Sequence, residues 1–258
     1  MCTPSDISVT DHEDRSAAMK LADFLFRFRH LALIVIFAVA FWAPWERLGG
    51  AHPGSTWLWL AGTIEALGFF PIAISTVIVI TLATLALLLA ALVRTWAAAY
   101  LGSDVVQDKY LHSECVVADG PYRYLRNPLY LGSWLMTAGL AILMPPGGAL
   151  FALVAVTVLI VAWVLAEERK LTIKRGDAYT AYQKKVPRFF PAIKPRIPSG
   201  TAQPYWLQGF LGAIHLWGMT VTYLIFAHRY NVTVLEQGVL ISVGITFLVR
   251  AIWRPGNT

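Results

Sequence analysis

The strongest chemical signal lies in residues 119–132, which read Asp-Gly-Pro-Tyr-Arg-Tyr-Leu-Arg-Asn-Pro-Leu-Tyr-Leu-Gly. The Gly-Pro pair predicts a turn, because the residue before a proline is pushed away from the α region. Asn127 stands at an N-cap position, with Pro128 as the first helical residue. A helix N-terminus carries partial positive charge, and Arg123 and Arg126 add full charges beside it. These residues form a site for a carboxylate or phosphate, or else a juxtamembrane loop whose arginines only set topology.

A second polar stretch begins at Glu167 and Glu168, directly after a long apolar run. Adjacent helical residues point about 100° apart, so one carboxylate can face the bundle while the other meets water. Tyr179 and Tyr182 follow on one helical face, three positions apart. Helix-end salt bridges for the glutamates and an interfacial aromatic belt for the tyrosines are the structural alternatives.

The elements that must position these residues are apolar helices. Hydrophobic residues make up 57% of the 258 residues and charged residues only 14%, against about a quarter charged in soluble domains. This composition predicts an all-α, polytopic integral membrane protein. The net charge of +6 does not indicate nucleic-acid binding, because the cations lie in loops between apolar runs. Cys2 and Cys115 suggest neither a disulfide framework nor a metal site, and the polar residues 1–14 do not match a secretory signal.

The apolar runs predict about six transmembrane helices plus one interfacial or re-entrant segment at residues 56–70. The predicted spans are residues 31–45, 72–93, 129–144, 148–166, 206–227 and 232–249. Pro145 and Pro146 predict a tight hairpin that brings the basic turn and the acidic pair to the same membrane face. Glu65, inside the re-entrant segment, is either functional or simply hydrated near the surface.

The distribution of positive charge predicts the topology, because cations are retained on the cytoplasmic side. In the arrangement with six spans, 19 of the 21 lysines and arginines are cytoplasmic, and only Arg47 and Arg229 lie outside. Both termini and both basic loops, residues 94–128 and 166–205, are then cytoplasmic. We expect a multi-pass protein of a bacterial inner membrane or the endoplasmic reticulum, with its active site facing the cytoplasm.

Over residues 105–191 the motifs resemble those of the isoprenylcysteine carboxyl methyltransferases and the related membrane phospholipid methyltransferases. The matching motifs are Gly120-Pro121-Tyr122, Arg126-Asn127-Pro128-Leu129-Tyr130-Leu131-Gly132, Glu167-Glu168 with Leu171, and Gly176-x-x-Tyr179-x-x-Tyr182-x-x-x-Val186-Pro187. The resemblance implies a transferase that takes a methyl group from S-adenosylmethionine, held at the cytoplasmic helix ends. The acceptor would be a lipophilic small molecule or a lipid of the bilayer. Residues 1–104 would hold the tail and first helices, 105–198 the core with the cofactor pocket, and 199–258 a C-terminal hairpin.

The resemblance also implies roles for individual residues. The implied cofactor contacts are Gln107, Glu114, Cys115, Val116, Val117, Tyr122, Arg126, Asn127, Pro128, Leu129, Tyr130 and Glu167. The implied catalytic residues are Glu167, Glu168 and Tyr130, and no metal is expected. The family's arginine four positions before the first glutamate is Trp163 here. We therefore expect Trp163 to contact an acceptor that is neutral or cationic, because a buried carboxylate needs a cation.

Two other functions fit part of the sequence. The Gly-x-x-Tyr-x-x-Tyr-x-x-x-Val-Pro tail also resembles that of NADPH-dependent membrane sterol reductases. The nine cations between Arg169 and Arg196 could hold the additional phosphate of such a cofactor. A non-catalytic membrane protein with a vestigial pocket is the other alternative. The Arg-Asn-Pro-x-Tyr turn favours the methyl donor over both.

Overall fold

The computed structural model describes residues 28–45, 54–101, 119–229 and 232–252. Within these ranges the regular structure is helical, with no strand, which confirms the predicted all-α class. A short 3₁₀ turn covers Gly120–Arg123. The α-helices are α1 Arg29–Trp42, α2 Thr56–Ala66, α3 Ile72–Leu101, α4 Pro128–Ala141, α5 Pro146–Arg175, α6 Asp177–Lys185, α7 Trp206–Gly212, α8 Ile214–Arg229 and α9 Val232–Ile252.

Two helices, α3 and α5, are long and apolar enough to cross a membrane. Each has 30 residues, or about 45 Å of helix, whereas the hydrocarbon core of a bilayer is about 30 Å thick. A third candidate span is formed by α7 and the following residues Ile214–Ala227, which are bent by 63° at the break between them. The described helices therefore indicate two or three spans by length and composition, and the prediction of about six spans is not confirmed.

Helix α2 and the turn after it form the segment predicted to be interfacial. With 11 residues, α2 is too short to cross a bilayer alone. The backbone amides of Thr56 and Trp57 donate to the carbonyls of Met144 and Ile142, at 2.8 and 2.9 Å. The Glu65 carboxylate accepts a 2.8 Å hydrogen bond from the amide of Ile72. This carboxylate therefore satisfies one of the unpaired amides at the start of α3, which is a structural role.

Helix α3 is the central helix of the described bundle and packs against α2, α4, α7 and α8. Its buried face is rich in small side chains, including Ala83, Ala90 and Ala91, which let neighbouring backbones approach closely. Tyr223 of α8 is fully buried, and its hydroxyl donates to the carbonyl of Gly139 in α4, at 2.9 Å. This packing holds α4 against α3 and so fixes where the first turn of α4 lies.

The connection between α4 and α5 is only four residues long, from 142 to 145. Pro145 is extended and Pro146 begins α5, as the fixed φ of proline favours. The two helices pack side by side, so the first turn of α4 and the acidic pair of α5 lie at the same end of the bundle. The predicted hairpin is thereby confirmed. Helix α5 continues beyond the acidic pair to Arg175, further than the apolar run indicated.

Candidate functional site

The basic turn begins at Gly120, whose φ of +58° is a left-handed conformation that favours glycine. A Cβ at this position would lie 2.5 Å from ring carbons of Tyr100, so a larger residue would not fit. Helix α4 begins at Pro128, as predicted, but the side chain of Asn127 makes no capping hydrogen bond. Its Nδ2 instead donates to Oε1 of Glu168 at 3.1 Å and to the carbonyl of Arg188 at 3.3 Å. The predicted side-chain cap is therefore wrong, because these two bonds orient the amide group of Asn127 toward Glu168 and Arg188.

Glu168 is the centre of a buried ion cluster. Its side chain is 4% exposed and lies 3.0 Å from Nη1 of Arg126 and 2.9 Å from Nη2 of Arg188. Nε of Arg188 donates to the same carboxylate at 3.0 Å. A buried carboxylate needs such partners to offset its lost hydration. The cluster ties α5 to the basic turn and to the chain that follows α6.

Glu167 has a different environment, although it is the next residue. It is half-buried, and its Oε2 accepts a 2.9 Å hydrogen bond from the hydroxyl of Tyr130. The Tyr130 ring lies 6.4 Å from that of Trp163, which is one helical turn before Glu167. The structure therefore brings three predicted site residues together. It also confirms that the two glutamates diverge, with Glu168 facing the protein interior.

Two buried hydrogen-bond donors beside this group have no partner within the described residues, namely the hydroxyl of Tyr122 and Nε1 of Trp163, and Nε of Arg126 in the adjoining Glu168 cluster is a third. Buried polar groups are usually hydrogen-bonded, so the Tyr122 and Trp163 donors are able to bind a ligand. Burial raises the pKa of Tyr122, and the neighbouring Tyr182 and Glu167 raise it further, against the opposing effect of Arg94. Tyr122 therefore keeps its proton at neutral pH and can donate a hydrogen bond.

Arg94 joins α3 to the first turns of α4. Its Nη1 donates to the carbonyl of Leu129 at 3.2 Å and to Oγ of Ser133 at 2.7 Å. Gly132 makes room for this contact, because a Cβ there would lie 2.3 Å from Cγ of Arg94. Arg94 therefore holds the helix start that carries Tyr130.

Residues 187–202, which we call the strap, run antiparallel to the basic turn. Hydrogen bonds along their length join the two segments. With the residue of the turn given first, they pair Arg126 with Pro187, Tyr124 with Ala192, Arg123 with Arg196, Arg123 with Ile197, and Asp119 with both Gly200 and Ala202. The buried carboxylate of Asp119 accepts two backbone amides of the strap. Arg123 and Arg126 thus bind the strap and Glu168, whereas the sequence left open a site for an external anion and a loop whose arginines only set topology.

The tyrosine pair of α6 supports the turn from the other side. Tyr179 and Tyr182 are both buried, with ring centroids 5.8 Å apart, and pack with Val186. The hydroxyl of Tyr182 donates to the carbonyl of Tyr122 at 2.8 Å. Burial, and next the nearby charge of Glu168, raise the pKa of Tyr179 to about 12. The pair is part of the protein interior and does not form an interfacial belt.

The remaining predicted residues divide into two groups. Pro128 and Leu129 form the start of α4 beside the site. Gln107, Glu114, Cys115, Val116 and Val117 lie outside the described residues. Sequence reasoning did not assign a role to Arg188, although its place after Val186-Pro187 in a basic stretch was a usable signal. Among the residues that the structure describes, no three His, Cys, Asp or Glu side chains are grouped as metal ligands would be.

Comparison with known proteins places the resemblance in this part of the chain. Residues 78–175 match the phospholipid methyltransferase family. A protein-S-isoprenylcysteine O-methyltransferase of Schizosaccharomyces pombe is 33% identical over 97 residues, which cover 35% of this chain and 39% of the relative. The chain thus matches well under half of that relative's length. No solved structure gives a significant match. The matches confirm the predicted resemblance to the isoprenylcysteine and phospholipid methyltransferase superfamily.

Proposed function

We propose, from the family match over residues 78–175, that this chain is a membrane methyltransferase that uses S-adenosylmethionine and a lipophilic acceptor. One observation supports this most. Within the matched region, Tyr130, Trp163 and Glu167 meet beside the first turn of α4, and two buried donors there have no partner among the described residues. That arrangement is what a site for a polar ligand with an apolar body requires.

The residues at this site fit S-adenosylmethionine. The Tyr122 hydroxyl can donate to an acceptor atom of the ligand, and the half-buried Glu167 carboxylate suits an ammonium group or ribose hydroxyls. The first amides of α4, which have no side-chain cap, suit a carboxylate. The faces of Tyr122 and Tyr130 favour a cation. Bound there, S-adenosylmethionine would supply an electrophilic methyl group on a positively charged sulfur.

We assign different roles to the two glutamates. Glu167 and Tyr130 are the catalytic pair, because their hydrogen-bonded side chains are half-buried beside the unpaired donors. An acceptor amine must lose a proton, and we propose that the Glu167 carboxylate takes it. Glu168 is a structural residue, because Arg126 and Arg188 already occupy its carboxylate. Its cluster holds the turn in place, and alignment of two reactants can contribute on the order of 7–11 kcal/mol to catalysis.

We propose that the acceptor carries an amine or a neutral hydroxyl. Trp163, 3% exposed, offers one N–H donor and no charge. The neighbouring Glu167 carboxylate would repel a second carboxylate in the same pocket. Among the described cations near the site, Arg126 and Arg188 are paired with Glu168, and Arg94 donates to the Leu129 carbonyl and the Ser133 hydroxyl. A prenylcysteine acid would therefore have to displace one of these contacts to gain the counter-ion that a buried carboxylate needs.

This acceptor is tested by offering labelled S-adenosylmethionine with prenylcysteine and, separately, with bilayers that contain amine-headgroup lipids. We expect label in the amine lipid or in another neutral lipid. Abundant methyl ester on prenylcysteine, undiminished in Trp163→Ala, would show that another cation serves a carboxylate substrate.

The orientation of the site is part of the same proposal. We propose that residues 166–205 face the cytoplasm in a protein with about six spans, because this arrangement keeps 19 of 21 cations inside. A cysteine at Thr180, with Cys2 and Cys115 replaced by serine, would be labelled in intact cells or sealed vesicles. Labelling only from the cytoplasmic side is expected, and labelling only from the outside would reject this topology.

Equilibrium binding of S-adenosylhomocysteine and of NADPH to the detergent-solubilised protein tests the proposed function. We expect S-adenosylhomocysteine to bind and NADPH not to bind. Glu167→Gln should weaken binding by about 1.5–3 kcal/mol, as expected for loss of a charge-assisted hydrogen bond. Arg169→Gln, at an exposed position two residues further along α5, is the matched control and should bind normally. Binding of NADPH would favour the reductase, and binding of neither would favour a non-catalytic protein.

A further inference from the structure

The outer side of the strap carries two large apolar side chains that point away from the protein. Phe190 is 85% exposed and Ile193 is 97% exposed. Exposed apolar side chains that lie next to charged ones are typical of surfaces that contact proteins or membranes. The basic residues close to them in the chain are also exposed, namely Lys184, Lys185, Lys194 and Arg196.

The exposure of these two side chains does not come from a loose loop. The amide of Ala192, between them, donates to the carbonyl of Tyr124 at 3.0 Å. The amide of Arg196 donates to the carbonyl of Arg123 at 2.9 Å. Because the backbone on both sides of Ile193 is bonded to the basic turn, Phe190 and Ile193 are held in an outward position.

Both ends of the strap are hydrogen-bonded near the ends of apolar helices. Near its start, the carbonyl of Pro187 accepts a 2.9 Å hydrogen bond from Arg126, two residues before α4 begins. Just after its end, the amide of Tyr205 donates to the carbonyl of Ala99, in the last turn of α3. Tyr205 and Trp206 are more than half exposed, as aromatic residues at a bilayer surface are. The strap therefore lies at the same end of the bundle as the last turn of the long apolar helix α3.

The charge of this stretch indicates the kind of bilayer surface. Residues 184–196 contain five lysines and arginines and no aspartate or glutamate. Only Arg188 of these is engaged in the Glu168 cluster. Basic side chains beside inserted apolar ones are the pattern that binds anionic lipid surfaces.

We propose that the tip of the strap inserts into the surface of the surrounding bilayer. Phe190 and Ile193 reach the boundary between headgroups and acyl chains, and Lys184, Lys185, Lys194 and Arg196 contact anionic headgroups. The strap is thereby fixed between the bilayer and the basic turn. This contact does not depend on the proposed methyl transfer, because it rests on exposure, backbone bonding and charge.

Fluorescence quenching in nanodiscs tests this insertion. In a background with Cys2 and Cys115 replaced by serine, one fluorescent label is attached at Ile193→Cys and, as a control, at Asp177→Cys. Asp177 is exposed and polar at the start of α6, beyond the end of α5. Two quenchers are compared: lipids with a nitroxide at a shallow acyl position, and acrylamide in the water.

We expect the lipid nitroxide to quench the label at position 193, and acrylamide to quench the label at position 177. Lipid quenching should be stronger with phosphatidylglycerol present than with phosphatidylcholine alone, and the double variant Lys194→Gln with Arg196→Gln should lose that difference. Equal acrylamide quenching at both positions would overturn the insertion. A position 193 that is shielded from both quenchers would show that protein covers the tip. Equal lipid quenching in both bilayers would overturn the contact with anionic headgroups.

Discussion

Replacing Glu168 with glutamine should destabilise the protein much more than the same change at Glu167. The Glu168 carboxylate balances the charge of Arg126, whose side chain is only 9% exposed. Glutamine is similar in size but carries no charge, so Arg126 would be left buried without a counter-ion. Glu167 accepts one hydrogen bond from Tyr130, and the oxygen of a glutamine can still accept it.

The contacts of Glu167 and Glu168 set the expected difference in stability between the two glutamine variants. Removal of one partner from a buried ion pair costs about 3–5 kcal/mol, and this applies to Arg126. The Arg188 side chain is 38% exposed, so solvent screening limits its contribution to about 1 kcal/mol or less. The loss at Glu167 should be at most about 1 kcal/mol, the net value of one hydrogen bond, because glutamine can still accept the bond from Tyr130. The two variants should therefore differ by a few kcal/mol.

Thermal unfolding in one detergent, followed by tryptophan fluorescence, measures this difference. For a chain of this size, 1 kcal/mol shifts Tm by roughly 2–4 °C. Glu168→Gln should thus lower Tm by on the order of 10 °C, and Glu167→Gln by a few degrees. The double variant Glu168→Met with Arg126→Met should regain much of the loss, because it removes both charges. Equal losses in the two glutamine variants, or no recovery in the double variant, would refute the structural role of Glu168.

Three further predictions concern residues that hold the site in position. Gly132→Ala should displace Arg94 and weaken S-adenosylhomocysteine binding at least tenfold. The control Gly62→Ala, where a Cβ meets open space, should bind normally, and equal affinities of the two variants would show that Gly132 is not needed to make room for Arg94. Asp119→Ala removes the acceptor of two strap amides and should speed proteolysis within residues 187–202, so an unchanged cleavage rate would contradict it. In the unfolded chain Tyr179 loses its proton at the ordinary pKa of 10.0, whereas in the folded protein it does so only near 12. The free energy of unfolding should therefore fall as pH rises from 10 to 12, and it should fall less steeply in Tyr179→Phe. Identical alkaline unfolding curves for the two proteins would contradict this.

Local features of the chain could be predicted from the sequence because they depend on neighbouring residues. Helix α4 begins at Pro128 because the fixed φ of proline favours the first helical position. The four-residue connection to α5 follows from the prolines at 145 and 146. Glu167 and Glu168 had to diverge, because consecutive helical residues point about 100° apart. These features, together with the apolar composition, determined the helical class and the end of the bundle where the polar residues meet.

The sequence did not predict which polar side chains pair with each other, because the paired residues are far apart in the chain. Local geometry made Asn127 a capping residue, yet its side chain serves Glu168, 41 positions away. The sequence could not tell which glutamate is buried, since both follow the same apolar run. Packing of α5 against the turn decides it: Glu168 meets Arg126 and Arg188 there, and a charge is stable in the interior only with such partners.

The extent of the helices and the course of the strap were likewise decided by tertiary contacts. Hydropathy located the apolar cores of α3 and α5, but both helices extend beyond them, because a helix can continue through polar residues once it leaves the bilayer. The strap has no regular secondary structure and no periodic pattern, so its course was not predictable. Its position is set by hydrogen bonds to residues 119–126, which are distant from it in the sequence. The sequence alone therefore determined the helices and the residue types at the site, whereas long-range pairing of charges and backbone groups decided which of those residues are buried in the Glu168 cluster and which lie beside Glu167 and Tyr130.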